Sequence, residues 1–400
     1  MGKRIVVCCD GTWQRLDGER PTNVVRLAKA VLPADAEGRP QVVILIDGVG
    51  TGRGTTRLAR ATDRLFGGLT GLGLEDTLAE AYRQLVFAYR PGDEIHVFGY
   101  SRGAYTARSL VGMIRNCGIL ARCHADRVAE ALALYRSGAE ADEPDGERSL
   151  AFRAAHAPDV LTGTDERAWR ERAHPGRDWS AALPLRIRFL GVWDTVGALG
   201  VPERWTLAGL VNRRHRFHDT CLSRRVEAAR HAVAIDERRS TFEPALWDNV
   251  DELNGGARDG PYRQAWFPGV HSAVGGGGHD RALASHALLW VVQGAESQGL
   301  AFDAEALAEV AAEADALGPL EPSPRSGLFA RFIALGAEDR AGPASITDVS
   351  EPAHERWRHD RDYRPPTLAG VAGALDGDTA PPEESPPVPA QMASSRKPSV

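Results

Sequence analysis

The 400-residue sequence predicts an α/β fold, in which a doubly wound and mostly parallel sheet carries helical insertions. Two observations predict this class. Short, nearly continuous apolar runs alternate with stretches of helical periodicity, and the first two runs end at turns rich in Gly and Asp. The first run, Arg4–Cys9, shows no alternation of polar and apolar residues, which is typical of a parallel strand covered on both faces.

The remaining elements follow the same alternation along the chain. Further strands are predicted at residues 41–46, 94–98, 185–192, 229–235 and 265–270. Helices are predicted at residues 23–31, 74–89 and 282–298, where apolar side chains recur at helical spacing. We expect an α/β domain over residues 1–300, with helical insertions at about 121–183 and 202–225. A C-terminal extension packed on the domain follows at 301–375, and a disordered, Pro-rich tail at 376–400.

Composition excludes several classes of function. The net charge of −6 and the lack of long basic clusters give no reason to expect a nucleic-acid partner. The five cysteines form no C-x-x-C pair, so we predict neither a zinc site nor a disulfide framework, and no metal or other cofactor. The glycine-rich stretch 48–54 lacks the Lys-Ser/Thr ending of a phosphate-binding loop.

The apolar segments are too short for a membrane anchor or a signal peptide. No run approaches the length of a transmembrane helix, and the apolar run after Arg4 has only five residues. We therefore expect a cytoplasmic protein, and export by a contact-dependent secretion system is compatible with this expectation because such export needs no signal peptide.

A G-x-S-x-G motif lies between a predicted strand and a predicted helix. Gly99, Ser101 and Gly103 carry it, preceded by the run 94–98 and followed by small and apolar residues at helical spacing. This order is that of the nucleophile elbow of the α/β-hydrolase fold, in which a strained turn exposes the serine hydroxyl. The flanking glycines are expected where the strand and the helix approach too closely for a Cβ atom.

A serine nucleophile requires a histidine base and a carboxylate that orients the base, and in this fold they follow in the order serine, acid, histidine. Asp194 follows the strand 185–192, and His271 follows the strand 265–270 and precedes four glycines. His279, beyond those glycines, is the alternative base. Asp47 and Asp236 also lie at strand ends and are alternative acids.

An oxyanion hole needs two backbone amides. We expect one from Arg102, which follows the serine, and the other from a loop after a neighbouring strand. Gly11 and Thr12 are the preferred donors, and the loop 48–50 is the alternative.

Six motifs in this order resemble a known family: 9–13 (CDGTW), 47–51 (DGVGT), 99–108 (GYSRGAYTAR), 193–197 (WDTVG), 234–237 (AIDE) and 266–272 (WFPGVHS). They resemble the α/β-hydrolase family that includes the catalytic domain of type VI secretion phospholipase effectors, over about residues 3–300. The resemblance implies a catalytic triad of Ser101, Asp194 and His271. One position differs, because Ala273 stands where the family usually has an aspartate after the histidine.

The resemblance also implies a substrate class and partners. We expect hydrolysis of acyl esters, of lipids or phospholipids at a membrane surface, through an acyl-enzyme intermediate. A secretion-machine component or an immunity protein is the expected protein partner. Two alternatives stay open: an esterase of small soluble esters, and a hydrolase-fold binding or scaffold protein without activity, in which Ala273 marks a degraded site.

Overall fold

The computed structural model of the protein describes residues 2–11, 20–46, 73–197, 221–257, 259–320 and 338–377. The strands in these ranges are β1 (Arg4–Cys9), β2 (Gln41–Ile46), β3 (Glu94–Tyr100), β4 (Val160–Leu161), β5 (Leu183–Pro184), β6 (Arg186–Trp193), β7 (Val226–Ala234) and β8 (Tyr262–Phe267). Six of them form one parallel sheet in the spatial order β2-β1-β3-β6-β7-β8. The predicted α/β fold with a parallel sheet is confirmed.

The strand order places the carboxyl ends of β1 and β3 side by side. The chain starts at β1, adds β2 on one side and then continues with β3 on the other side. The topology therefore switches direction between β1 and β3, which is where open α/β sheets bind their ligands. Ser101 directly follows β3 at this point.

Helices cover both faces of the sheet. They are α1 (Asn23–Ala30), α2 (Leu74–Ala88), α3 (Arg102–Cys117), α4 (Val128–Arg136), α5 (Glu147–His156), α6 (Glu166–Ala173), α7 (Val250–Leu253), α8 (His271–Gly275), α9 (Ala282–Ser297), α10 (Ala304–Glu313), α11 (Glu351–His359) and α12 (Ala372–Gly377). Short 3₁₀ segments lie at Arg122–Arg127, Glu140–Asp142, Ser240–Phe242, Ile346–Asp348 and Pro366–Val371.

Alternate residues of β1 pack into two different cores, as a pleated strand requires. Ile5, Val7 and Cys9 contact the core that is shared with α2, α3 and α4. Val6 and Cys8 contact the core shared with α1, α9 and α10. All five side chains are buried, so both cysteines act as small apolar residues inside the sheet.

The strand ends differ from the predictions in two places. Strand β3 extends to Tyr100, so Ser101 follows the strand without an intervening loop. Strand β8 ends at Phe267, because Pro268 has no N–H to pair and Gly269 adopts a left-handed φ of 104°. This early end turns the chain toward His271.

The first predicted insertion contains α4, α5 and α6, with one addition. Strands β4 and β5 form a two-residue parallel pair, although no strand was expected between 121 and 183. Pairs this short carry no apolar periodicity, which is the signal that strand prediction uses. Glu166 accepts from Arg153 and Arg170 in the buried centre of the insertion. The second predicted insertion, 202–225, lies mostly outside the described residues.

Residues 338–377 pack on the edge strand β8. Val349 forms a parallel bridge with Trp266, and Trp357 and Leu368 contact a core that includes Val233. The segment therefore covers an edge that would otherwise expose unpaired backbone groups. The boundary at residue 300 stays a prediction. The predicted tail begins inside α12, where Asp376 accepts from the indole of Trp357, and lies outside the described residues beyond 377.

Replacing Gly103 by Ala should destabilise the protein. An added Cβ atom would lie 2.2 Å from the Cys9 carbonyl oxygen and 2.3 Å from that of Asp10, and backbone atoms yield little. We expect a loss of roughly 2 kcal/mol or more in the free energy of unfolding, measured by urea denaturation. Gly373→Ala is the matched control, because nothing lies within 4 Å of its added Cβ. Equal unfolding free energies for the two variants would contradict the close approach of α3 and β1.

Candidate active site

The elbow holds Ser101 in a conformation that few non-glycine residues adopt. Its φ and ψ are 58° and −124°, and its N–H donates to the Trp193 carbonyl at 3.1 Å. An added Cβ at Gly99 would lie 2.4 Å from the Gly103 carbonyl oxygen, so glycine is required where β3 and α3 meet. The strained turn directs the Ser101 hydroxyl away from the sheet and toward an imidazole.

His271 is the imidazole that meets the serine. Its Nε2 lies 2.8 Å from Ser101 Oγ, and only 6% of the residue is exposed. His271 is the first residue of the short helix α8, and its N–H donates to the Glu237 carboxylate at 3.3 Å. The rings of Tyr100 and Phe242 contact the imidazole, with centroids 4.7 and 4.8 Å away. These contacts hold the ring in one orientation.

Asp194 completes the arrangement from the end of β6. Its Oδ2 lies 2.6 Å from His271 Nδ1, and its Oδ1 accepts from the Ala234 N–H at 2.9 Å. The residue is fully buried and has a positive φ of 37°. Its own N–H donates to the Ala232 carbonyl, so the turn after β6 is fixed against β7. The structure therefore brings together the three residues that the sequence selected.

Arg340 is a fourth member that sequence reasoning missed. Its guanidinium donates to both carboxylate oxygens of Asp194, at 2.7 Å to Oδ1 and 3.0 Å to Oδ2. It also donates to the carbonyls of Ala234 and Phe242, at 2.7 and 2.5 Å. No motif surrounds Arg340 in the sequence, and it lies 146 positions after Asp194, so spacing carried no signal.

The charges of the site follow from burial and from these partners. Burial alone would raise the pKa of Asp194, but the Arg340 charge and the His271 hydrogen bond hold it well below its usual range. Burial lowers the pKa of His271 below its ordinary value of 6.5, and the Asp194 carboxylate only partly offsets this. Near neutral pH the site therefore holds an ionised carboxylate beside a neutral imidazole, which is able to accept a proton.

The loop around Ala273 is braced by side chains from other parts of the chain. Ala273 packs with Val270 and Leu283 in a small apolar cluster. The Asp236 carboxylate accepts from the Gly269 N–H at 2.6 Å and from the Tyr363 hydroxyl at 3.0 Å. With Glu237 on the His271 N–H, two carboxylates from the end of β7 secure the entry to α8. His271 is therefore held in place although residue 273 is an alanine.

The alternative residues lie apart from this arrangement. His279 is exposed, and its Nε2 lies 2.7 Å from a guanidinium nitrogen of Arg20. The Asp236 carboxylate accepts a hydrogen bond from the Gly269 N–H instead of from an imidazole. Asp280 accepts from the Ala282 N–H at the start of α9. Asp47 lies outside the described residues.

The expected oxyanion donors are placed unequally. Arg102 is the first residue of α3, at the positive end of the helix dipole. That Gly11 supplies the second amide stays a prediction; in this structure its N–H donates at 2.7 Å to the buried Asp10 carboxylate. That carboxylate also accepts from the Thr22 hydroxyl and is thereby fixed in place. Thr12 and the loop 48–50 lie outside the described residues.

The described ranges show neither a metal-binding cluster nor a membrane-spanning helix. They contain no group of three or more His, Cys, Asp or Glu side chains placed to hold a metal ion. None of their helices combines the length and apolar character needed to cross a membrane.

Comparison with known proteins gives both a family and individual relatives. The uncharacterized protein YEL023C of Saccharomyces cerevisiae is 29% identical over 253 residues, which cover 60% of this chain and 32% of that protein. The crystal structure of an uncharacterized Pseudomonas aeruginosa protein aligns at 19% identity and a TM-score of 0.40, over 78% of this chain and 48% of that one. The Tle1 effector bound to the VgrG spike of the type VI secretion system aligns at 17% identity and a TM-score of 0.35, over 70% of this chain and 52% of that one.

The chain thus spans between a third and about half of the length of these relatives. The model for the catalytic domain of Tle1-like phospholipase effectors of type VI secretion matches residues 3–294, which include Ser101, Asp194 and His271. With most of its length matched, the chain belongs to the family of Tle1-like phospholipase effector catalytic domains.

Proposed function

We propose that this protein is a serine hydrolase that cleaves acyl esters of lipids, in particular phospholipids, through an acyl-enzyme intermediate. The observation that carries the proposal is the continuous hydrogen-bonded series Ser101, His271, Asp194, with donor–acceptor distances of 2.8 and 2.6 Å. A serine hydroxyl becomes nucleophilic when a neutral imidazole accepts its proton and a carboxylate holds that imidazole.

In the first half of the reaction, Ser101 Oγ attacks the ester carbonyl while His271 Nε2 accepts the hydroxyl proton. Asp194 holds the Nδ1–H of the ring and stabilises the imidazolium that forms. The tetrahedral intermediate then collapses, the bond to the alcohol breaks, and His271 returns the proton to the departing alkoxide. The products of this half are a free alcohol and Ser101 carrying the acyl group.

In the second half, water replaces the alcohol. His271 accepts a proton from water as its oxygen attacks the acyl carbonyl, and returns the proton to Ser101 Oγ when the acyl–serine bond breaks. A carboxylic acid leaves and the resting site is restored. Both halves generate an oxyanion, and we expect the Arg102 amide, at the start of the 16-residue helix α3, to stabilise it together with the helix dipole.

The substrate class rests on the family. The family to which the chain belongs is that of phospholipase effectors of type VI secretion, which supports a lipid ester over a small soluble one. We infer that the domain is made in the cytoplasm and exported by this route, with a secretion-machine component and an immunity protein as its partners. A comparison of vesicular phospholipid with short soluble esters separates a lipase from an esterase of small esters.

Ser101→Ala should abolish hydrolysis while leaving the fold intact, because it removes the nucleophile and adds no atom to the elbow. We expect fatty-acid release from phosphatidylcholine vesicles, and hydrolysis of p-nitrophenyl butyrate, to fall by at least about 10³-fold. Circular dichroism and the melting temperature check that the variant is folded.

Ser109→Ala is the matched control. Ser109 is a buried serine of the same helix, two turns after the elbow, and we expect its variant to keep most of the activity. Undiminished turnover by Ser101→Ala would contradict the assignment. Saturable lipid binding without turnover, equal in the wild type and Ser101→Ala, would favour the non-catalytic binding protein instead.

His271 and His279 make a second test of the site. Replacing His271 by Ala should remove activity, because no other imidazole contacts Ser101 Oγ in the described residues. His279→Ala should leave kcat within about twofold, because His279 lies at the surface beside Arg20. The same vesicle assay measures both variants. Loss of activity in His279→Ala with a mild effect of His271→Ala would show that His279, and not His271, is the base.

A further inference from the structure

Arg340 lies outside the segment that defines the family, yet it contacts the candidate acid directly. The family match ends at residue 294, and Arg340 belongs to the segment 338–377 that covers β8. Four hydrogen bonds hold its guanidinium: two to the Asp194 carboxylate, one to the Ala234 carbonyl and one to the Phe242 carbonyl. Only 8% of the residue is exposed.

We propose that Arg340 is a positioning residue of the active site, through which the C-terminal segment holds Asp194 in the orientation that receives His271. This inference rests on the proposed serine hydrolase function. Arg340 acts through the carboxylate and has no described contact with Ser101 or His271, so we do not assign it a step in the reaction.

The segment that carries Arg340 is fixed on both sides of it. The Glu338 N–H donates to the Arg238 carbonyl at 3.0 Å, and Asp339 forms an ion pair with the Arg238 side chain. Two residues after Arg340, Gly342 has a φ of 83°, and an added Cβ there would lie 1.9 Å from the Thr367 carbonyl oxygen. The Thr367 hydroxyl in turn donates to the Ile235 carbonyl at 2.9 Å. The guanidinium is therefore anchored to the end of β7.

A planar guanidinium with two parallel N–H donors orients a carboxylate better than a lysine ammonium does. Two nitrogens of Arg340 bind the two oxygens of Asp194, so the carboxylate cannot rotate away from His271 without breaking both bonds. The Ala234 N–H and His271 Nδ1 supply the other two contacts, one to each oxygen. All four contacts would be lost or rearranged together if Asp194 turned.

Arg340 also balances the charge of a fully buried carboxylate. A buried ion without a counter-ion is costly, and a lone Asp194 would gain by taking up a proton or by charging His271. Arg340 Nη2 and His271 Nδ1 both lie within 3.0 Å of the same oxygen, so the guanidinium opposes protonation of the imidazole. Neutral His271 is the form that accepts the serine proton.

Further charged or titratable groups lie around the pair in the described residues. Glu237 and Arg239 follow β7 and form an ion pair with each other at 2.8 Å. The Glu237 charge raises the pKa of His271 and the Arg239 charge lowers it. Tyr100 ends β3, and burial raises its pKa so that it stays neutral. His231 of β7 is buried, which lowers its pKa to about 3 and keeps it uncharged as well. Arg340 is therefore the cation bonded to Asp194 in the described structure.

The test compares the pH profiles of Arg340→Met and Arg340→Lys with that of the wild type. In the wild type, kcat/KM for p-nitrophenyl butyrate should fall only below the ordinary histidine value of 6.5, because burial lowers the pKa of His271 and neutral imidazole is lost on acidification. Met removes the charge that opposes protonation of His271. The fall of kcat/KM at low pH, the acid limb of the profile, should therefore move up by about one pH unit or more. Lys keeps the charge but not the two parallel donors, so the limb should stay while kcat falls roughly 10- to 100-fold with KM unchanged.

Arg170→Met is the matched control. Arg170 is a buried arginine paired with Glu166 inside the insertion, so its replacement destabilises the protein in the same way without contacting the site. We expect its acid limb to coincide with that of the wild type. If Arg340→Met shows the same unshifted limb as Arg170→Met, Arg340 is only structural and the inference is overturned. If Arg340→Met does not fold, wild-type kcat in Arg340→Lys overturns it.

A second readout does not depend on turnover. Titration of the His271 ring followed by NMR, with its signal assigned by loss in His271→Ala, should give a higher pKa in Arg340→Met than in the wild type. If the wild type is inactive but the pKa of His271 is still higher in Arg340→Met, the hydrolase function is refuted and the action of Arg340 on the Asp194–His271 pair is kept. If the wild type is active but the pKa of His271 is the same in Arg340→Met, only the role of Arg340 is refuted.

Discussion

An ionised carboxylate buried inside a protein has to be satisfied on both oxygens, and Asp194 meets this requirement with partners from three separate parts of the chain. The Ala234 N–H comes from the end of β7, His271 from the start of α8, and Arg340 from the segment over β8. Because each partner is itself held by further hydrogen bonds, the carboxylate joins the sheet edge, the histidine loop and the C-terminal segment into one unit. The Ser101–His271 hydrogen bond depends on this unit.

A second constraint acts at the elbow, where backbone approaches backbone. Helix α3 starts so close to β1 and β3 that the two glycines of the motif have no room for a side chain. This approach places the first turn of α3 against the serine and brings the ends of β1 and β3 together at the topological switch of the sheet. The nucleophile is therefore positioned by packing, and the histidine and its acid are positioned by hydrogen bonds.

Much of this was readable from the sequence, because apolar runs and glycine motifs record local geometry. The six sheet strands, the elbow, Asp194 and His271 all lie at or close to the positions predicted from periodicity and chain order. Arg340 was not readable, since a guanidinium that reaches back 146 positions leaves no spacing or motif behind. Gly11 was chosen for its place after β1, but which acceptor its amide meets depends on the rotamer of Asp10. The brace of the histidine loop by Asp236 and Glu237 likewise depends on tertiary contacts.

The proposed mechanism requires Ser101 to be an activated nucleophile, and a fluorophosphonate tests this without any assumption about the substrate. The folded wild type and Ser101→Ala are incubated with the reagent, and the products are identified by intact mass and peptide mapping. We expect a single adduct on Ser101 in the wild type and none in the variant. A folded wild type that stays unmodified, or an adduct on a different serine, would contradict it.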